Sequence, residues 1–197
     1  MIKNIIIVII IVIVLFGLYF GSLLPFAKAK LYIRATNNLQ SGLIRTLDEF
    51  KKNFNNPLDF YSPVGQEETT RFLATEIIGR MIYPDQKENI SRELVNYIEP
   101  RFFQNNSRHL LLAASMYGKM FNIYSREEDL KKTEEYFQKS LVLNLKSPQA
   151  LYSLFDIYQK KGEFEKSKEI GETILKYWPE DERIKEAFKH LNIYTLY

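Results

Sequence analysis

Between Ile5 and Phe26 the chain carries no charged side chain. A hydrocarbon slab about 30 Å thick needs about 20 apolar residues in helical form, at 1.5 Å rise per residue. Residues 5–26 are long enough, and the pattern predicts a helix able to cross a membrane. Each of its Ile, Val, Leu and Phe residues favours insertion by roughly 0.3 to 0.6 kcal/mol near the bilayer centre, and no charge subtracts from the sum. β-Branched residues weaken a helix in water. In lipid the backbone must satisfy its own hydrogen bonds, and that requirement outweighs propensity. Two other readings stay open. A secretory signal would use Lys3 as its basic flank and Ala27-Lys28-Ala29 as a small-x-small cleavage site, although its apolar region usually spans only about 7 to 15 residues. A buried helix of a soluble protein is the third. Lys3 and the amino terminus face Lys28, Lys30 and Arg34 across the run. This near balance leans towards a cytoplasmic C-terminal side without fixing it.

Behind residues 1–27 the rest of the 197-residue chain fits one domain of ordinary size. The expected fold class is all-α: punctuated helical periodicity with no convincing alternation of period two. Leu39, Leu43, Leu47, Phe50 and Phe54 repeat at three and four, one face of a helix that Asn55-Asn56-Pro57 is expected to end. A loop broken by Pro63 and Gly65 follows, and Glu67 and Glu68 suit the first turn of the next helix. That helix aligns Leu73, Ile77 and Met81 before Tyr83-Pro84. A third helix starts near Asp85 with Ile90, Leu94 and Ile98, and Pro100 is expected to end or kink it. Helices over 30–55, 66–82 and 86–103 thus read as degenerate helical pairs filling residues 28–106.

From 107 to 197 the chain compares with itself. Ser107 is a plausible N-cap. A shift of 34 residues lays Leu130 on Phe164, Thr133 on Ser167, Phe137 on Gly171, Leu141 on Leu175 and Leu145 on Pro179. Residues 148–179 resemble the tetratricopeptide repeat, with Leu151, Leu154, Tyr158, Gly162 at the inter-helix turn, Phe164, small Ser167 and Pro179. Phe155 stands where that family usually has a small residue and Gly171 where it has an aromatic, an exchange between neighbouring positions that keeps volume roughly constant. The preceding unit, 107–147, has the same outline, and its extra residues near "FNIYSREED" are expected to lengthen the loop, which costs little closure entropy. "EDERIKEAFKHLNIY" closes the stack as a cap, with Ile184, Phe188 and Leu191 inward and Arg183, Lys185, Glu186 and Lys189 outward.

The resemblance implies an α-solenoid of antiparallel helix pairs with a concave groove for a protein or peptide partner. The family's groove positions fall on Arg108, Ser115 and Lys119, then on Gln149, Tyr152, Asp156 and Gln159, with Arg183 and His190 on the cap. Their mixed charge selects no single sign of ligand.

The order of elements is similar to a second family. A final apolar span, "KAKLYIRATNN" with Tyr32 and Ala35, the loop Ser62-Pro63-Val64-Gly65-Gln66-Glu67-Glu68 and a repeat tail look like the C-terminal end of bacterial O-antigen ligase and polymerase membrane proteins. This likeness implies envelope polysaccharide assembly at the bacterial cytoplasmic membrane, with association to other membrane-spanning segments. The glycosyl transfer would lie in upstream spans absent from this sequence.

Composition removes other classes. The 27 Lys and Arg stand against 24 Asp and Glu, interspersed, for a formal charge of +3. That is far from the basic stripe of a nucleic-acid binder. With no Cys, disulfides and thiolate metal sites are impossible. Neither His109 nor His190 belongs to a paired ligand set such as HExxH, and both read as surface or groove histidines, so no metal is expected. Glu127-Glu128-Asp129 and Glu134-Glu135 read as a solvated face. No G-x-S-x-G, P-loop or G-x-G-x-x-G motif occurs, so no catalytic residue, cofactor or enzymatic activity is expected. Three functions follow: a membrane-anchored repeat adaptor, the detached tail of a glycan ligase or polymerase, or a secreted repeat protein after signal cleavage.

Overall fold

The computed structural model describes residues 2–81 and 85–194, with side chains described as far as Lys189. Every regular element among the described residues is helical. The chain divides into two compact units, Met1–Arg101 and Phe102–Tyr197.

The first unit opens on a continuous helical rod, Ile2–Gln40, built from α1 (Ile2–Leu18), a π-helical turn (Tyr19–Leu23) and α2 (Leu24–Gln40). It is long and apolar enough to cross a membrane, and its most apolar 18-residue window has a mean hydropathy of 3.0 with nothing buried against protein. Pro25 explains the π-helical turn. Its ring clashes with the carbonyl four residues back and it donates no hydrogen bond, and a wider turn at Gly21-Ser22 absorbs both defects.

Beyond the charge-free run the rod acquires a buried face made of Lys28, Ala35 and Leu39. The Lys28 ammonium donates to Pro57 O (2.7 Å), Phe60 O (2.7 Å) and Gln66 Oε1 (2.6 Å). Three acceptors at that range let a cation sit where its side chain is 1% exposed.

The single helix expected through Leu39, Leu43 and Leu47 is two helices. Gly42 turns the chain at φ +73°, Leu43 is 71% exposed, and α3 (Leu47–Asp59) starts afresh on Thr46. Thr46 and Glu49 form a reciprocal capping box that satisfies the orphan amides of a new helix. These local end signals override an apolar spacing that ran straight through. Pro57 does not end α3 as expected; it sits buried inside the last turns, and its carbonyl accepts from Lys28.

Gly65, at φ +90°, launches α4 (Gln66–Arg80), whose first turn holds Glu67 and Glu68. Leu73, Ile77 and Met81 of this stretch are fully buried. The expected Tyr83-Pro84 stop lies outside the described residues. The next helix, α5 (Glu88–Ile98), begins three residues later than its expected start at Asp85, and Pro100 falls in a 3-10 turn, Glu99–Arg101. Phe50, Phe54 and Leu58 of α3 complete the core with Leu94, Val95 and Ile98 of α5.

The second unit contains α6 (Ser107–Tyr124), α7 (Glu127–Leu143), α8 (Pro148–Lys161), α9 (Phe164–Tyr177) and α10 (Glu182–Tyr194). Asn106, not Ser107, caps α6, accepting from the amides of Arg108 and His109. Ser107 instead sets its hydroxyl 2.8 Å from that of Ser140. The extra residues of the 107–147 stretch do not form a longer loop. Both connections consist of two residues led by one in left-handed conformation, Ser125-Arg126 (φ 55° at Ser125) and Gly162-Glu163 (φ 71° at Gly162). The surplus is helical: α6 has 18 residues against 14 in α8, and α7 has 17 against 14 in α9. One added turn on each helix, seven residues together, restores the facing sides at 3.6 residues per turn.

Two polar residues expected at the surface are buried. His109 is 1% exposed, accepts from the Phe103 amide through Nδ1 at 3.0 Å and is flanked by the rings of Phe102 and Phe103. Asp129, also 1% exposed, lies in the first turn of α7, where the helix dipole favours an anion.

Candidate functional site

Each candidate residue is placed by a helix start. Asn106 sets the register of α6, Ser147 accepts from the Ala150 amide to set that of α8, and Asp181 accepts from the Ile184 amide at 3.0 Å at the start of α10. Those registers bring Ser115, Lys119, Gln149 and Asp156 around one open hollow of about 290 Å³. Gln149 Nε2 donates to Ser115 Oγ at 3.1 Å, bridging α6 and α8 across it. Ser115 Oγ in turn donates to Leu111 O at 2.8 Å. The sequence reading did not single out Gly118, Asn122, Ser153 and Lys160, which line the same hollow. Its floor is apolar, from Leu130, Phe137 and Ile157. Lys119 and Lys160 against Asp156 leave the rim mixed in sign.

Tyr152 and Arg183 belong to a second, adjoining cluster. Arg183 pairs with Asp156 and lies 5.5 Å over the Tyr152 ring, and that ring stacks on Trp178 at 6.0 Å. The Tyr152 hydroxyl donates to Asp181. Burial and the Asp181 carboxylate push the Tyr152 phenol up to about 12, and the same hydrogen bond holds Asp181 below the usual carboxylate range. Tyr152, Tyr177, Trp178 and Asp181 border an open hollow of about 600 Å³. Asp156 is the member common to both clusters.

Two candidates stand apart. Arg108 is exposed at the first turn of α6 and Gln159 is half-buried near the end of α8; neither lines the hollows just described. The His190 side chain lies outside the described residues. Trp178 and Asp181, which complete the second cluster, were hidden in a stretch that reads as the close of a repeat and a charged surface.

A hydrogen-bonded lysine closes α8. Lys161 reaches Glu134 (2.7 Å) and Glu163 (2.6 Å), and both contacts raise its pKa above the ordinary lysine value. The pairs are open to solvent, whose screening keeps their contribution to stability small. Among the described residues no group of three or more His, Asp or Glu side chains is placed to hold a metal ion.

No protein-family model matches the chain. A search of curated proteins likewise finds no match.

Proposed function

We propose that the chain is a membrane-anchored helical-repeat adaptor of the tetratricopeptide kind, which holds a protein or peptide partner at the bilayer and makes or breaks no bond itself. The observation that carries this reading is the correspondence between α6–α7 and α8–α9. Each pair opens on a side-chain cap, Asn106 or Ser147, turns through a left-handed residue, Ser125 or Gly162, and returns with a small buried residue, Thr133 or Ser167. In this reading the pairs run antiparallel and stack as a short solenoid, with α10 as its cap. The partner lies along the hollow bordered by Ser115, Lys119, Gln149 and Asp156. Tethering a binding surface to the membrane raises its effective concentration for a partner held there.

The anchor is read as retained. Cleavage after Ala29 would remove Lys28, a buried cation on which two backbone carbonyls and Gln66 converge. The test is crosslinking and recovery of partners from membranes, comparing the parent protein with the groove variants Lys119→Glu and Gln149→Ala. A partner recovered by the parent and lost by both variants, at unchanged helix content, supports the groove. The same partners recovered by all three contradict it.

One observation favours a second reading, the detached tail of an O-antigen ligase-like or polymerase-like protein. The two segments that carry that likeness meet in this fold, where the Lys28 ammonium donates to Gln66 Oε1. An open frame for further spans directly upstream of the coding sequence would support it, and a promoter with no such frame would contradict it.

A further inference from the structure

We propose that the loop Phe60–Gly65 rests in the headgroup region of the bilayer that α1 crosses, giving the first unit a second, peripheral contact with phospholipid through Tyr61 and Val64. The inference depends on reading residues 5–26 as a membrane span.

Lys28 lies two residues past the end of the charge-free run. Side chains on a helix lean towards its N-terminus and cover the preceding turn. The ammonium that bonds Pro57 O, Phe60 O and Gln66 Oε1 therefore sits beside Leu24 and Pro25, not beyond them. The burial pattern agrees: residues 2–18 are exposed throughout, whereas Leu24, Pro25 and Ala27 are half-covered and Lys28 is fully covered. The run is just long enough to fill a hydrocarbon core about 30 Å thick, so its last turn lies at the boundary with the headgroups. Whatever packs on that turn shares its depth.

What packs there is suited to lipid. Phe60-Tyr61-Ser62-Pro63-Val64-Gly65 holds no charge in a chain that is 26% charged. Ser62 turns inward, 7% exposed, and its hydroxyl donates to Val64 O at 2.6 Å, which fixes the loop. Tyr61 (69% exposed) and Val64 (55%) are left pointing outward. Large exposed apolar groups beside a span match the membrane boundary, where a tyrosine keeps its ring in the apolar layer and its hydroxyl in water. Continuity with the span selects lipid as the occupant of this surface.

The chain has no Cys, so single cysteines can carry a nitroxide at chosen depths. The variants are Tyr61→Cys and Val64→Cys on the loop, Val12→Cys within the span and Val142→Cys, 79% exposed, on the second unit. The full chain is reconstituted in phosphatidylcholine–phosphatidylglycerol vesicles, and the accessibility of each label to oxygen is compared with that to a nickel chelate. The expected order of the oxygen-to-nickel ratio is 12 highest, 61 and 64 several-fold above 142, and 142 aqueous. Labels at 61 and 64 as wet as 142, with 12 deep, overturn the loop contact and leave the span standing. A wet label at 12 overturns the span and this inference with it. Protection of 61 and 64 in native membranes but not in these vesicles means that a protein covers the loop, which also overturns the inference.

Discussion

The ring of Phe188 fills the space that a side chain on Gly171 would take: a Cβ built there would lie 2.5 Å from Phe188 Cε1, and 3.1 Å from Phe155 Cε2. Three helices, α8, α9 and α10, thus close on one missing side chain. Leu151, Ile174 and Ile184 pack around the same point, all within 1% of full burial. Aromatic rings from α10 and α8 take up the volume that a side chain on α9 would need.

Gly171→Ala is therefore expected to destabilise the second unit. Overpacking a filled core costs about 1 to 3 kcal/mol, offset in part by the better helix propensity of Ala, worth about 1 kcal/mol. Combined with Phe188→Ala, the same substitution should lose most of its cost, because the clashing ring is gone. Thermal melts of the four proteins in a double-mutant cycle measure the coupling. Additive effects would mean that the two residues do not share this space.

Ser125 adopts at φ 55° the conformation that Gly162 adopts at φ 71° in the corresponding turn. A left-handed L-residue costs about 1 kcal/mol that glycine does not. Ser125→Gly is expected to raise the stability of the second unit by about that amount, and Gly162→Ala to lower it similarly. Chemical denaturation midpoints at constant slope provide the check.

Tyr97 donates from its hydroxyl to Asn55 Oδ1 (2.9 Å) and lies 3.2 Å from Lys51 O. Burial pushes its phenol up to about 12, with Asp59 adding to the rise and Arg101 opposing it. The sign follows: unfolded chains release this proton near pH 10, the folded unit holds it, and the associated stability is intact below pH 10 and lost as pH rises through about 12. Tyr97→Phe should flatten that alkaline limb in a pH series of melts. An unchanged limb would assign it to other groups.

Lys28→Met keeps the length of the side chain and removes its three hydrogen bonds. Pro57 O and Phe60 O lose their donor in a buried site, at about 1 to 3 kcal/mol for each stranded acceptor that water does not reach. The first unit should melt earlier and the α3–α4 connection should exchange amide hydrogens faster, while the second unit is unchanged. Equal exchange in parent and variant would mean that the contact holds nothing in place.

Much of the helical layout is legible in the residues. The run 5–26, the buried faces at Leu73-Ile77-Met81 and Leu94-Ile98, and the left-handed turn at Gly162 follow from spacing and turn chemistry. The break at Gly42 is not, because Leu39, Leu43 and Leu47 keep helical spacing across it, and only the Thr46–Glu49 box betrays the new start. Nor is the lengthening of α6 and α7, since a seven-residue insertion reads equally as loop or as two helical turns. Burial of His109 and Asp129 depends on what neighbouring helices present, which a single helix pattern does not encode. The candidate site divides the same way. Ser115, Gln149 and Asp156 converge because each keeps its place in the helix register that Asn106 and Ser147 set, whereas Trp178 and Asp181 reach Tyr152 only through the tertiary closing of α10. Lys28 reads in sequence as one flanking charge among three; its role emerges only where α3 and α4 supply acceptors.

Retention of the first two dozen residues in lipid is the claim on which the adaptor and the loop contact both stand, and intact mass across a fractionation tests it most directly. After an alkaline wash of membranes from cells producing the chain, the account predicts the full 197-residue protein in the pellet. A species beginning at Lys30 and released to the soluble fraction would contradict it.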